Sequence, residues 1–254
     1  MSATRHDVVL RSRELTRRFG GLVAVDRVSI ELARGQVHAV IGTNGAGKST
    51  LINVLSGELP ATSGTVHLRG VDITRWPQPK RARAGIGRSY QRTTVFPHFT
   101  VLENCRLAAQ AHHQQPWALL SSASTCGVAG PAARHAAARA GLTDVLERPA
   151  GALSHGQRRQ LEIAMCLATE PEVLLLDEPL AGMGAEETDR MLRLLGELKA
   201  GHAIALVEHD MDAVFRVADV ITVMVNGAVL ASGAPQAVRA NPDVQAAYLG
   251  VAEG

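Results

Sequence analysis

The chain has 254 residues, of which 46% are apolar and 20% are charged. This length and composition are typical of a soluble globular protein that builds one core with an insertion, or two small domains. A net charge of +2 argues against binding nucleic acid through overall charge. The three cysteines are far apart in the chain, so they predict neither a disulfide framework nor a metal site, and they favour a reducing compartment.

The first part of the chain is predicted to form short strands. Apolar runs at 8–10, 28–32 and 37–41 are separated by turn signals at 20–21 and 34–35. This pattern predicts strands that are mostly antiparallel. No apolar segment approaches the roughly 18 residues that a membrane-spanning helix needs. If the protein serves a membrane, we expect it to lie beside the bilayer.

A glycine-rich loop follows the third apolar run. Residues 42–49 read GTNGAGKS, with the spacing G-x-x-x-x-G-K-S, and an apolar helical segment begins directly after them. Glycines let the backbone turn its N–H groups toward an anion, and the next helix adds the positive end of its dipole. Lys48 adds a full charge, and the Ser49 hydroxyl suits Mg²⁺. The segment predicts a site for the phosphates of a nucleotide.

The middle of the chain is predicted to be helical. Thr100 and Glu103 form a capping box that begins a helix. Residues 110–131 are polar or small and are interrupted by proline and glycine, which is typical of a flexible connection. Helices are predicted to resume at 132–140 and 157–169.

The second of these helices follows the sequence LSHGQ at 153–157. Ser154 and Gln157 form another capping box, which is a sufficient structural explanation for both residues. A helix start rich in serine and glycine is also a site for an anion. At the far end of an insertion, it would reach a nucleotide held by a second molecule rather than one held by Lys48.

The last part of the chain alternates strands with helices, and this predicts a parallel sheet flanked by helices. The predicted strands are 173–177, 203–207, 220–225 and 229–231, and the predicted helices are 186–199, 211–218 and one that begins at Asn241-Pro242. Functional groups are expected at the carboxyl ends of such strands. Asp177 and Glu178 end the first strand, where they suit Mg²⁺ binding and activation of an attacking water. The alternative is that both carboxylates only cap the next segment.

Taken in order, the glycine-rich loop, LSxGQ, the apolar strand ending in Asp-Glu and a histidine after the next strand resemble the ATPase subunit of an ABC transporter. The resemblance covers essentially the whole chain. It implies an α/β fold: a P-loop NTPase core, with a mostly parallel sheet flanked by helices, an N-terminal antiparallel β subdomain and an α-helical subdomain. We expect a single ABC ATPase domain over 1–254, with the helical subdomain inserted at 92–168, and ATP and Mg²⁺ as ligands.

The resemblance implies a role for each matching residue. The nucleotide-binding residues are Phe19, which matches the ring that stacks on adenine, and the loop residues Gly42, Asn44, Gly45, Ala46, Gly47, Lys48, Ser49 and Thr50. The signature residues that clamp the γ-phosphate across a dimer are Ser154, Gly156 and Gln157. The catalytic residues are the base Glu178, the switch histidine His209 and Gln91, which senses Mg²⁺ and the attacking water. The Mg²⁺ ligands are Ser49, Gln91 and Asp177.

Three of these residues have a plainer explanation, and two positions depart from the family. The plainer alternatives, which we favour less, are core packing for Phe19, an ordinary polar position for Gln91 and a structural role for His209. His155 stands where the family signature has glycine. Gly184 stands where many relatives carry an aspartate that connects the two ATP sites, so we expect that coupling to be weaker or differently arranged.

Finer similarities point to importers of branched-chain amino acids, and to the longer of their two ATPase subunits. They lie in FGGLVAV at 19–25, GQRRQLEI at 156–163, EHDM at 208–211 and NPDV at 241–244. Urea and short-amide importers share much of this pattern, so the cargo stays open. The implied partners are a second ATPase in a homodimer or heterodimer, two membrane permeases and, indirectly, an external solute-binding protein. The implied location is the cytoplasmic face of the inner membrane, without a transmembrane segment.

Aromatic residues are scarce in this chain, and half of them lie in one segment. Trp76, Tyr90, Phe96 and Phe99 lie close together in the sequence, with arginines between them. Aromatic side chains with arginine are typical interface anchors, although a local core also explains them. Phe96 and Phe99 are the better candidates for contact with a permease.

Other functions fit the sequence less well. An ABC ATPase that acts on DNA or ribosomes usually has a long coiled-coil insertion or two cassettes, and neither is present. A P-loop GTPase would show an Asn-Lys-x-Asp guanine reader, which the sequence lacks. A cassette that binds ATP without cleaving it is disfavoured by Glu178 and His209.

Overall fold

The computed structural model describes residues 7–89, 95–113 and 129–249. These residues form two sheets with helices around them. The strands are β1 (Val8–Phe19), β2 (Leu22–Val28), β3 (Glu31–Ala33), β4 (Val37–Gly42), β5 (Ser63–Leu68), β6 (Val71–Asp72), β7 (Ile86–Arg88), β8 (Val173–Asp177), β9 (Ala203–Val207), β10 (Val220–Val225) and β11 (Ala228–Gly233). The helices are α1 (Lys48–Ser56), α2 (Gln78–Arg83), α3 (Val101–His113), α4 (Ala129–Arg139), α5 (His155–Leu167), α6 (Ala185–Leu198), α7 (Met211–Val217), α8 (Pro235–Arg239) and α9 (Pro242–Leu249).

The first sheet is antiparallel, as predicted, with the strand order β2-β1-β5-β6 and β3 also paired to β1. The apolar run at 28–32 is not one strand, however, because β2 ends at Val28 and β3 begins at Glu31. The long strand β1 pairs with β2 through its second half and with β3 through its first half. Positive φ angles at Glu14 (45°) and Arg27 (47°) mark the bend where the pairing changes.

The second sheet has the order β11-β10-β4-β9-β8-β7. Its pairs are parallel except for the hairpin of β10 and β11. This confirms the predicted α/β class with a mostly parallel sheet. The register places Asp177 opposite Val207, so the carboxyl ends of β8 and β9 lie side by side.

Helices and the antiparallel sheet cover the two faces of the parallel sheet. All residues of β4, β8 and β9 are buried, as expected for strands enclosed on both sides. Leu175 packs in a cluster with Leu51 of α1, whereas its neighbours Leu174 and Leu176 pack in another with Leu195 of α6. Successive side chains of β8 therefore pack into two hydrophobic cores, one on each face of the sheet.

The predicted helix starts at Val101 and Pro242 are confirmed, whereas α4 begins at Ala129 rather than at the predicted residue 132, and several short elements were not predicted. The predicted flexible connection at 110–131 is also wrong at its ends, because 110–113 and 129–131 are helical, and its middle lies outside the described residues. Thr100 and Glu103 exchange both hydrogen bonds of the capping box before α3. Asn241 Oδ1 accepts hydrogen bonds from the first backbone N–H groups of α9. The elements α2, β7 and α8 escaped prediction because each has six residues or fewer and shows little periodicity.

Cys105 and Cys166 are free and buried, and Cys126 lies outside the described residues. Burial raises the pKa of both described thiols to about 12. In the part of the chain that the structure describes, no helix is both long enough and apolar enough to cross a bilayer.

Arg81 of α2 holds the last turn of α1. Its side chain is fully buried, and its Nη1 donates to the carbonyls of Val54 (2.9 Å) and Leu55 (2.7 Å). Its Nε donates to Trp76 O (3.1 Å) and its Nη2 to Thr74 O (2.8 Å). Carbonyls at a helix C-terminus lack intrahelical partners and favour a positive charge, so the guanidinium satisfies both needs. Burial lowers the pKa of Arg81 to about 10, which leaves the side chain charged at neutral pH.

Replacing Arg81 with leucine should therefore destabilise the fold. Removing the guanidinium takes a charged donor from four carbonyls, of which that of Val54 keeps the hydrogen bond from Gly57 N (3.2 Å), and we expect a loss of about 3 kcal/mol in the free energy of unfolding. For a protein of this size, that is a decrease of about 6–12 °C in Tm, measured by thermal unfolding. Arg83→Leu is the control, because Arg83 is exposed on the same helix. Equal melting temperatures for the two variants would contradict the assigned role of Arg81.

Candidate nucleotide-binding site

The glycine-rich loop joins β4 to α1, and two of its glycines cannot be replaced. A Cβ atom at Gly42 would lie 2.2 Å from Met224 O, and one at Gly47 would lie 2.1 Å from Ala24 O. Both residues also have positive φ angles, 155° and 97°. Only glycine combines this backbone conformation with such close approach. The loop is therefore packed directly against β10 and β2.

The same loop is held by a backbone hydrogen bond from the turn between β10 and β11, and that turn is itself bonded to β2. Gly227 N donates to Ala46 O (3.1 Å), and Asp26 N donates to Gly227 O (2.8 Å). Gly227 belongs to the Asn-Gly turn between β10 and β11, a sequence that favours tight hairpins. Asn44 and Gly45 at the tip are exposed. The loop thus has a fixed base and an accessible tip.

Lys48 lies at the base of the loop, buried at the start of α1. Its Nζ donates to the carbonyl oxygens of Gly42 (2.8 Å) and Thr43 (3.0 Å). Burial lowers the pKa of Lys48, and the nearby carboxylates of Glu178 and Asp177 partly oppose this shift. A cation in this partly desolvated position interacts more strongly with an anion than it would in water.

The Ser49 hydroxyl and the Asp177 carboxylate lie in contact at the end of β8. The hydroxyl of Ser49 donates to Asp177 Oδ1 (3.2 Å), and Asp177 N donates to Ser89 Oγ (3.3 Å). Asp177 is only 2% exposed, and burial raises the pKa of its carboxyl while the Ser49 hydrogen bond opposes this shift. A hydroxyl beside a buried carboxylate offers oxygen ligands of the kind that Mg²⁺ prefers. Among the described residues, no group of three or more His, Cys, Asp or Glu forms a larger metal cluster.

An open cleft of about 510 Å³ brings the predicted nucleotide-binding residues together. It is lined by Phe19, Leu22, Val23, Ala24, the loop and helix residues 44–50, Glu178 and Asn226. Phe19 is 43% exposed at the end of β1, with the Arg17 guanidinium 4.5 Å from the ring centroid. This exposure contradicts the explanation of Phe19 as a core residue. The contributions of Ala24 and Asn226 had no distinct signal in the sequence.

A larger cavity, of about 1,100 Å³, lies at the opposite end of the parallel sheet. His38 and Val220, at the amino ends of β4 and β10, line it together with the ion pair of Arg11 and Glu31. Ligands of open α/β sheets bind outside the carboxyl ends of the strands. The position of a cavity, rather than its size, therefore identifies the nucleotide site.

Ser154, Gly156 and Gln157 lie outside that cleft and line a separate cavity of about 240 Å³. Ser154 caps α5, and both hydrogen bonds of its capping box with Gln157 are present. Ser154 Oγ and Gly156 N both donate to Glu187 Oε1, over 3.1 Å and 3.2 Å. A carboxylate thus lies on the very donors expected to bind phosphate, and Glu187 was not predicted because it lies 33 residues from Ser154 in sequence.

The two departures from the family pattern lie near α6. His155 is exposed at the start of α5, and its ring lies beside Gly182. Gly184 is the residue before α6 and gives that helix no side-chain cap. Gln91, predicted to contact Mg²⁺ and the attacking water, lies outside the described residues.

His209 follows β9 and presents an exposed side chain. The carboxylate of its neighbour Glu208 is only 1% exposed and lies 3.8 Å from His209 Nδ1. Glu208 Oε1 accepts a hydrogen bond from Leu180 N over 2.8 Å. Burial raises the pKa of Glu208 to about 6. No sequence pattern indicates this contact, because it joins residues 28 positions apart.

Comparisons with known proteins agree with this geometry. A family model described as ABC transporter matches residues 25–181, and a model described as branched-chain amino acid ATP-binding cassette transporter matches residues 228–254. The chain is 41% identical to the high-affinity branched-chain amino acid transport ATP-binding protein BraF of Pseudomonas aeruginosa, over 96% of this chain and 98% of the relative. The similar protein LivG of Escherichia coli K12 is also 41% identical, over 94% and 96% of the two chains.

Solved structures show the same relationship. A nucleotide-free ATP-binding cassette from an ABC transporter superposes with a TM-score of 0.85 and 32% identity, over 95% of this chain and 98% of that one. A cassette in its ADP conformation gives a TM-score of 0.83 and 31% identity, over 96% and 99%. The chain therefore belongs to the ABC transporter family, as an ATP-binding subunit with ATPase activity.

Proposed function

We propose that this ATPase powers the uptake of branched-chain amino acids through an ABC importer. The names of the relatives and the family model that matches residues 228–254 support this cargo. The observation that most supports ATP hydrolysis is that the phosphate loop and Glu178 line the same cleft. An importer for urea, short amides or other amino acids is the alternative, since urea and short-amide importers share much of the same sequence pattern.

The phosphate side of the cleft is proposed to hold ATP with Mg²⁺. The backbone from Gly42 to Gly47 and the start of α1 would cradle the phosphates, and Phe19 would stack on adenine. Ser49 and Asp177 fit Mg²⁺ through their adjacent oxygens, and Gln91 is proposed as a further ligand. Bound Mg²⁺ would neutralise charge on the phosphates. Lys48 would exchange its loop carbonyl partners for phosphate oxygens.

Hydrolysis is proposed to use the groups that follow β8 and β9. Glu178 would orient and deprotonate the attacking water, and its place at the mouth of the cleft supports this role. His209 would contact the γ-phosphate, and its exposed side chain leaves it accessible to a ligand. Gln91 would help to position the same water.

An ABC ATP-binding subunit works as a dimer together with membrane permeases. We propose that Ser154, Gly156 and Gln157 complete the ATP site of the opposing subunit, which is a homologue or a second copy of this chain. Their separation from the cleft of their own chain supports this arrangement. The subunit would bind at the cytoplasmic face of the inner membrane, with an external binding protein delivering cargo on the other side.

The permease contact is proposed at Phe96 and Phe99. These rings are 51% and 41% exposed, and their centroids are 5.5 Å apart. Paired exposed aromatic rings are costly on a free surface and typical of interfaces. They lie within the segment 92–168, which we propose is a helical subdomain inserted in the ATPase core.

Replacing Glu178 with glutamine tests the proposed reaction. The amide cannot accept a proton from water, so we expect kcat in the complete transporter to fall at least about 100-fold. ATP affinity, measured by titration of the isolated chain, should stay within about twofold, because the phosphate contacts remain. Glu197→Gln, an exposed change on α6, is the control. Parent-like turnover of Glu178→Gln would refute the assignment.

Glu187 provides a test of the composite site. Its carboxylate occupies the donors proposed for the γ-phosphate of the opposing site, so it must move away against electrostatic repulsion. Glu187→Gln removes this charge, and we expect the ATP concentration for half-maximal hydrolysis in the transporter to fall about fivefold. Glu186→Gln makes the same change one residue away, at an exposed position, and should have no effect. If both variants match the parent, the phosphate role of these donors is wrong.

A further inference from the structure

The two strands that carry the proposed base and the switch histidine separate directly after their last backbone contact. Asp177 pairs with Val207, and Glu178 N donates to Val207 O over 2.9 Å. The next residue, Pro179, has no N–H group and cannot continue the ladder. The backbone then turns, with a positive φ of 51° at Glu178. Ala181 N donates to Glu178 O over 3.2 Å and closes this turn, but Leu180 N within it donates to a side chain rather than to the backbone.

Glu208 supplies that side chain. Leu180 N is the first backbone donor beyond the proline, and its hydrogen bond to Glu208 Oε1 is short, at 2.8 Å. Leu180 is itself buried, so this N–H group would otherwise lose hydrogen bonding on folding. The second oxygen of the same carboxylate accepts from His209 N over 3.3 Å. One side chain thus joins the turn after β8 to the turn after β9.

Burying a carboxylate costs more free energy than is needed to give one backbone N–H group a hydrogen-bond acceptor. Desolvation of a charge costs stability, and an apolar residue of similar size is often better tolerated in a core. The pKa of Glu208 stays below neutrality, so the group is ionised when the protein is at neutral pH. The charged groups that act on it are His209, which stabilises the ionised form, and Glu178, which opposes it. Its position between the turns that bear Glu178 and His209 suggests that it serves to hold these two side chains in place.

We propose that Glu208 is a positioning residue for ATP hydrolysis. Its carboxylate fixes the turn that bears Glu178 relative to the turn that bears His209, so that both side chains reach the γ-phosphate and the attacking water together. Glu208 itself does not touch the nucleotide. The inference rests on the proposed roles of Glu178 and His209.

The test compares two replacements of nearly equal size at this position. Glu208→Gln keeps a side-chain oxygen for Leu180 N, whereas Glu208→Met removes both acceptors. In the complete transporter we expect Glu208→Met to lower kcat about tenfold, and Glu208→Gln to stay within about threefold of the parent. The ATP affinity of both isolated chains should stay within about twofold, because no phosphate contact changes. Glu172→Gln, at the other end of β8, is the control.

Three results would overturn the proposal. They are parent-like kcat for Glu208→Met, equal losses for the methionine and glutamine variants, and weakened ATP binding in proportion to the loss of turnover. If Glu208→Met does not fold, Glu208→Asp carries the test, because it keeps the charge but withdraws the carboxylate by one methylene. Its kcat should fall about fivefold at unchanged ATP affinity, and parent-like kcat would count against the proposal.

The Glu178→Gln variant separates this inference from the proposed function. If Glu178→Gln still hydrolyses ATP, the assignment of the base fails, whatever happens at position 208. If Glu178→Gln is inactive while Glu208→Met turns over like the parent, only the positioning role of Glu208 fails.

Discussion

The parallel pairing of β4 with β9, and of β9 with β8, determines where the groups of the nucleotide cleft lie. Backbone hydrogen bonds align the carboxyl ends of these strands, so the phosphate loop, Asp177 and His209 emerge at one edge of the sheet. The strands are buried on both faces, and their register cannot slip without moving core side chains. The hydrogen bond between Ser49 and Asp177 is the direct result of this alignment.

Within this frame, the cleft and the signature residues lie at two separate places on one chain. The first has a buried cation, a buried carboxylate and an exposed aromatic ring. The second has a capped helix start whose donors face the carboxylate of Glu187. This division is the basis of our proposal that an opposing subunit completes each ATP site. Under that proposal, changes in α6 would act on the opposing site, while changes in β8 would act on the subunit's own site.

Much of this arrangement could be predicted from sequence, because its chemistry is local. The spacing of the glycine-rich loop, the apolar run before Asp177 and the Ser154 capping box are each contained in a few consecutive residues. The contacts of Glu187, Glu208 and Arg81 could not be predicted, because each joins side chains to backbone groups distant in sequence. The run at 28–32 misled the prediction of strands, since hydrophobicity alone does not report that β1 changes partner.

The bracing of the phosphate loop has a consequence for how tightly nucleotide can be held. The hydrogen bond from Gly227 N to Ala46 O, and the close approach of Gly47 to Ala24, hold the loop backbone through contacts within the protein. A preorganised receptor loses little conformational entropy on association. The interaction of phosphate with these N–H groups is therefore available for affinity rather than consumed in ordering a mobile segment.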